Sequence, residues 1–437
     1  MQAASAHQSG WRYGLLGLPL AFVSLPLYVL LPRHYAEHHA VPLATLGALL
    51  LMTRLLDAML DPALGRWADR LFARNPKRSW QAAGLGAAVM ALGFAALWAP
   101  PQGEPTALLV WLASALVVTY IAFSLVSIVH QTWAARWGGH PQERTALVAW
   151  REGAALAGVL LASVLPGWAG LQATSVTLAL ALALGLWTLH QTLAHHLLPS
   201  HLNPIGGSTP HTTSRAMPAL TDTHHSVWRD RPFVALLIVF LLNGSASAMP
   251  ATLLPFFVRD SLQAAEWEPL FLASYFLAAA IGLPLWVQLV KRWGLVPSWL
   301  VGMALSVAAF CAVPALGPGD ALAFEVICLL TGLALGADLT IPAAILTGLI
   351  HQSGRGQQDE GQFFGWWTAA TKLNLALASG LALPLLGWLG FKTGVSTPEN
   401  LSALAWTYGV LPCLFKVAAG ASLLAASRRY PILKGQS

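Results

Sequence analysis

The sequence is a succession of apolar runs about 20 residues long, each closed by charge, proline or glycine, and a run of that length suits an α-helix crossing a bilayer. Twelve candidate spans can be marked, at roughly 12–34, 41–65, 80–99, 106–133, 146–166, 172–198, 232–258, 268–290, 297–316, 320–351, 362–390 and 401–427. In lipid the backbone finds no water to bond, so only helices or closed barrels span it, and runs this long and unbroken predict an all-α membrane protein. Composition points the same way: 56% of the 437 residues are hydrophobic and 10% are charged, against roughly 25% charged in soluble proteins. A soluble enzyme is thereby excluded. The net charge of +6 does not call for nucleic acid, because the basic residues gather in short links between the runs. The expected macromolecular partner is the lipid bilayer.

One stretch breaks the pattern. Residues 199–231 are rich in Pro, Gly, Ser, Thr and His (NPIGGSTPHTTSR) and lack the apolar content for a core, so they read as a tether. This divides the chain into an N-terminal six-helix bundle (1–198), a cytoplasmic linker (199–231) and a C-terminal six-helix bundle (232–437). With both termini cytoplasmic, 17 of the 24 Lys and Arg residues fall in inner segments and only Arg33, Arg259 and Lys392 in outer loops, as the positive-inside rule requires. A weak echo between the basic turn at Gly65–Arg74 and the link ending at Gly294 supports two similar halves, an architecture of secondary transporters. The chain is expected to be a monomer in a bacterial inner membrane.

Charged side chains inside the runs are the informative exceptions, since each costs roughly 2.5–3.5 kcal/mol at a helix centre on insertion scales. The second run contains Arg54, Asp57 and Asp61 in RLLDAMLDP. Spacings of three and four residues put all three along one helical face. Two carboxylates a turn apart supply hard oxygen ligands for a small cation, or, by mutual repulsion, a site for a proton. Alternatively, Arg54 and Asp57 form an internal pair that locks the helix. Lys372 lies well inside the eleventh run, and its ammonium needs a counter-charge; Asp57 or Asp61 is the best candidate. Asp338 in GADLTIP is a candidate for a polar cavity, as are Trp366 and Thr371 beside Lys372. Glu152 is read as facing away from Arg151 towards a neighbouring helix, and Lys416 as snorkelling or capping a helix. Three cysteines without a C-x-x-C pair and scattered histidines form no metal motif; the metal reading is confined to a sodium site at Asp57 and Asp61.

Beyond Pro62 comes Gly65-x-x-x-Asp69-Arg70-x-x-x-Arg74, which resembles the loop between the second and third helices of the major facilitator superfamily. The longer run Arg54-x-x-Asp57-x-x-x-Asp61-Pro62-x-x-Gly65 resembles the helix-two motif of the glycoside-pentoside-hexuronide cation symporters, the melibiose permease group. YIAFSLVS from Tyr120, Glu143-Arg144 followed by Arg151, and Lys372 in FFGWWTAATKLNLALASG extend the likeness in order along the chain. The resemblance implies a major facilitator fold of twelve helices. It implies Asp57, Asp61 and Ser124 as cation ligands and Tyr120, Arg151 and Lys372 as cavity residues. It also implies Arg54, Gly65, Asp69, Arg70, Arg74 and Lys372 as coupling or gating groups. The family's sugar transporters carry acids on helices one and four; here the first run has none and Ser124 takes the helix-four place. The animal sodium-dependent lysophospholipid symporters of the same family likewise lack those acids.

The expectation is a secondary transporter in which Na⁺ or H⁺ drives symport of an organic solute, an amphiphile such as a lysolipid rather than a disaccharide. No cofactor is expected beyond the coupling ion, and no G-x-x-x-x-G-K-[ST] motif supplies ATP. A sugar:cation symporter is the alternative within the class. A membrane-embedded lipid-modifying enzyme or a non-transporting receptor are the alternatives outside it.

Overall fold

The computed structural model describes residues 10–39, 41, 43–101, 104–136, 141–197, 227–353, 359–391 and 397–434, so most of the expected linker lies outside the described residues. Every regular element among them is helical: α1 (Gly17–Leu25), α2 (Leu31–His39), α3 (Leu43–Arg74), α4 (Pro76–Leu97), α5 (Pro105–Arg136), α6 (Pro141–Leu197), α7 (Arg231–Phe256), α8 (Glu268–Trp293), α9 (Leu295–Phe310), α10 (Ala321–Gln352), α11 (Glu360–Trp388), α12 (Pro398–Ala405) and α13 (Leu411–Arg429). Short π-helical turns join α1 to α2 (Pro26–Leu30), extend α7 (Phe257–Ser261) and join α12 to α13 (Trp406–Val410).

Local chemistry explains the boundaries. Asn75 caps α4 by accepting a hydrogen bond from the Lys77 amide at 2.8 Å, with Pro76 at the first helical position, where its missing N–H is not needed. Asp230 does the same for α7 through the Phe233 amide at 3.1 Å. Gly294, at φ 84°, turns the chain directly from α8 into α9. Within α6, four residues beyond Pro166, Gly170 at φ 81° and ψ 173° breaks the helical path. The fifth and sixth expected spans therefore meet at one glycine, because φ > 0 changes direction without a loop.

Eight segments among the described residues are long and apolar enough to cross a membrane, and large apolar side chains such as Met59, Leu92 and Trp168 point outward. That exterior suits lipid. Two segments that carry mid-length charges, α3 and α11, are not among the eight. They pack against each other instead, at a crossing with no room for side chains: a Cβ on Gly65 would lie 2.0 Å from the Gly361 carbonyl oxygen, and one on Gly365 2.6 Å from that of Asp61. α1 packs on α6, α5 on α4 and α8 on α10, while α6 also meets α8 and α10.

Candidate functional site

At the α3–α11 crossing the Lys372 ammonium reaches the face of α3 that carries the paired aspartates. It forms an ion pair with Asp57 Oδ2 and, at 2.9 Å, with Asp61 Oδ2. Ser124 of α5 completes the group: its hydroxyl accepts from Lys372 Nζ at 2.7 Å and donates to Asp57 Oδ1 at 2.9 Å. Asp57, Asp61 and Ser124 are all buried. An uncompensated ammonium here would carry a desolvation penalty of several kcal/mol, so the lysine and its acceptors hold each other in place. One lysine and two aspartates sum to a single negative charge. Arg54 lies one turn along α3 and is half-buried.

Lys372 and Thr371 also line a cavity of about 430 Å³ between α1, α5 and α6 on one side and α7, α10 and α11 on the other. Arg151 lines it too, and here the sequence reading of Glu152 is corrected. Glu152 does not turn away; its Oε1 accepts from Arg151 Nη2 at 2.5 Å and from Nε at 3.0 Å, and both residues border the cavity. The long side chains bend towards each other despite adjacent Cα positions, because a lone guanidinium facing apolar walls would be costly. His130 joins the lining, its Nε2 donating to the Tyr13 carbonyl at 2.9 Å. Phe240 and Trp367 stack at 3.8 Å between ring centroids to form an aromatic wall.

Two expected cavity residues are placed elsewhere. Tyr120 is buried in the hydrophobic core and is not part of the lining, and Trp366 packs edge-on to Trp228 at 4.6 Å. Trp367, one position on, takes the cavity place, since successive residues differ by about 100° around a helix.

Asp338 lines the cavity but not as a free carboxylate. Lys416 Nζ lies 2.6 Å from its Oδ2 and also donates to Ser247 Oγ at 2.9 Å, while Trp299 Nε1 donates to Asp338 Oδ1 at 3.0 Å. The snorkelling reading of Lys416 is therefore overturned: the side chain is buried, held by a carboxylate on α10 rather than drawn to a helix end.

The end of the molecule that carries Gly65 is closed. Asp69 accepts from the amides of Gly361 at 2.5 Å and Gln362 at 2.7 Å, capping the start of α11. Arg136 of α5 pairs with Glu360 at 3.0 Å and lies over the Phe72 ring at 4.1 Å. His351 hydrogen-bonds the Ala135 carbonyl. Arg70 and Arg74, expected as gating groups, are exposed and make no ion pair among the described residues. The ion pair found at this end is that of Arg136 and Glu360, whose sequence signal was an acid at the start of one apolar run and a base at the end of another.

Comparison with known proteins places the chain. The MFS/sugar transport protein family matches residues 12–433. The inner membrane symporter YicJ of Escherichia coli (strain K12) is 26% identical over 157 residues, a stretch covering 36% of this chain and only 33% of that symporter. Among solved structures, a bacterial homologue of the iron transporter ferroportin in an outward-facing state superposes with a TM-score of 0.69 at 16% identity, covering 96% of this chain and 99% of that one. The same homologue with soaked iron gives 0.67 at 15% identity, covering 96% and 98%. At such identity the likeness is one of fold. With a family match over nearly its whole length, the chain belongs to the MFS/sugar transport protein family and is a multi-pass membrane protein.

Proposed function

We propose that the protein is a cation-coupled symporter with twelve spans and cytoplasmic termini, working as a monomer in a bacterial inner membrane. The observation that carries the coupling is the Lys372 ammonium, held jointly by Asp57, Asp61 and Ser124. It stands where a monovalent cation would find oxygen ligands. Na⁺ or a proton taking those oxygens displaces the ammonium into the adjoining cavity, beside Thr371 and facing Arg151. Because the aspartates belong to one half and the lysine to the other, ion occupancy changes what holds the halves together. Each unit charge entering gains about 2.3 kcal/mol per 100 mV of membrane potential.

The solute we infer is an amphiphile with an anionic or zwitterionic head. A cavity with Arg151, a displaceable Lys372 and the Phe240–Trp367 wall offers cationic groups beside apolar surface. A second reading, a glycoside, is favoured by one observation: the Glu152 carboxylate borders the cavity and can accept from sugar hydroxyls. Uptake by proteoliposomes tests both. Accumulation of a lysophospholipid driven by an imposed Na⁺ or H⁺ gradient is expected. Accumulation of a neutral glycoside alone selects the second reading, and no gradient-driven accumulation of either contradicts the symport.

A further inference from the structure

The C-terminal half contains a second, smaller cavity, of about 100 Å³, enclosed by α7, α8, α9, α10 and α13 together with the π turn at Tyr408. Asp338 is the one residue lining both this pocket and the central cavity. Six aromatic side chains, Phe271, Tyr275, Phe276, Phe310, Phe324 and Tyr408, are part of the pocket's lining, beside aliphatic and small polar residues. Phe271 meets Phe324 edge-on at 4.8 Å, while Tyr408 lies 5.7 Å from Phe310 and 6.3 Å from Phe324, so ring faces and edges surround the space from several directions. At its rim on α7 and α8, Ala251 and Leu272 are exposed, giving access from outside.

The charged end is nearly saturated from within. Asp338 Oδ1 accepts from Trp299, and Oδ2 from both Lys416 at 2.6 Å and Ser247 at 3.2 Å. Lys416 has three N–H donors and spends two, on Asp338 and on Ser247. What Lys416 keeps at that end is one charge-assisted donor beside an ion pair whose charges already cancel. A cationic guest finds its carboxylate occupied. An anionic guest would add an unbalanced charge in a low-dielectric space, at a cost a single hydrogen bond does not recover. A neutral guest with one oxygen acceptor meets neither obstacle, and an aromatic ring is the body that edge-to-face walls receive best. The volume is of the same order as the roughly 150 Å³ apolar cavity that binds benzene.

We propose that this pocket is a binding site, separate from the central cavity, for a small neutral aromatic molecule with a single oxygen acceptor, its ring among Phe271, Phe310, Phe324 and Tyr408 and its oxygen on Lys416 Nζ. The site does not depend on the coupling ion or on the identity of the transported solute.

Binding of phenol, benzene and benzoate to the full chain in lipid nanodiscs, followed by saturation-transfer NMR, tests the proposal. Saturable phenol binding is expected at least tenfold tighter than that of benzoate and tighter than that of benzene. Ala251→Trp, at the exposed rim, is expected to abolish it, and Thr371→Trp, in the central cavity, to leave it unchanged. Absence of saturable phenol binding to the unaltered protein overturns the proposal. So does benzoate binding as tightly as phenol, or phenol binding lost with Thr371→Trp and kept with Ala251→Trp. The ranking of the three probes on the unaltered chain needs no variant to fold.

Discussion

Lys372 on α11 and Asp61 on α3 meet at 2.9 Å across the seam between the N-terminal and C-terminal helices, and Asp57 closes on the same ammonium from one turn away. The contact joins parts of the chain 311 residues apart and is shielded from solvent on the aspartate side. Such a pair stabilises the seam only while both signs are present.

Replacing Lys372 by Met leaves two buried carboxylates without their shared counter-charge, and breaking a buried pair from one side costs roughly 3–5 kcal/mol. The variant is expected to melt at lower temperature in the absence of a coupling cation. It is also expected to gain more from added cation than the unaltered protein does, because no ammonium competes for the oxygens. Thermal melting with and without sodium, at two pH values, reads both effects. An equal response of the two proteins would mean that Lys372 and the ion do not share a site.

The α3–α11 crossing admits no side chain at Gly65, where a Cβ would lie 2.0 Å from the Gly361 carbonyl oxygen. Gly65→Leu should therefore splay the closed end, with a strain of about 1–3 kcal/mol by analogy with overpacked cores. A cysteine introduced at Ala68, which is 0% exposed, reports the change. Faster maleimide labelling in the Gly65→Leu background is expected, and unchanged labelling would show that the helices part without opening a path.

Arg136, partly buried, and Glu360, fully buried, pair across the seam at the same end. Arg136→Gln alone removes one partner of the buried Glu360. It should weaken closure more than the double replacement Arg136→Gln/Glu360→Gln does. Every 1.4 kcal/mol lost shifts the closed-to-open ratio about tenfold. Labelling rates at the Ala68 position in a double-mutant cycle measure this; additive effects would contradict a direct pairing.

Asp338 and Lys416 pair within one half, so their loss should affect stability rather than the opening of the seam. Lys416→Met is expected to lower thermal stability strongly, on the order of 3–5 kcal/mol for a one-sided break, and Lys416→Met/Asp338→Leu to recover part of it. Melting curves of the three variants check the order. A double variant worse than the single would point to a larger role for the Trp299 and Ser247 hydrogen bonds.

How far these groups were legible follows from what a helix face reveals. Asp57 and Asp61 share a face by spacing alone, and a lysine deep in an apolar run demands an acid, so the Lys372 contact could be argued before any coordinates. Lys416 made the same demand, but its acid, Asp338, lies 78 residues away on a helix whose rotation about its axis no local pattern sets. Trp366 and Trp367 show the same limit: which of two neighbours faces the cavity depends on a 100° turn fixed only by packing against Phe240 and Trp228. Glu360 and Arg136 sit at helix ends, where a charge is ordinary, and only the approach of α11 to α5 makes them a pair. Gly170 hid a span boundary because one residue at φ > 0 does the work of a loop.

The proposed coupling rests on Asp57 and Asp61 holding one exchangeable positive charge. Isothermal titration of the purified protein with sodium, accompanied by measurement of proton uptake or release, counts that charge directly. One ion or one proton per chain is predicted for the unaltered protein, and none for Asp57→Asn/Asp61→Asn. Undiminished binding by the double variant, or neither ion nor proton bound by the unaltered chain, would contradict it.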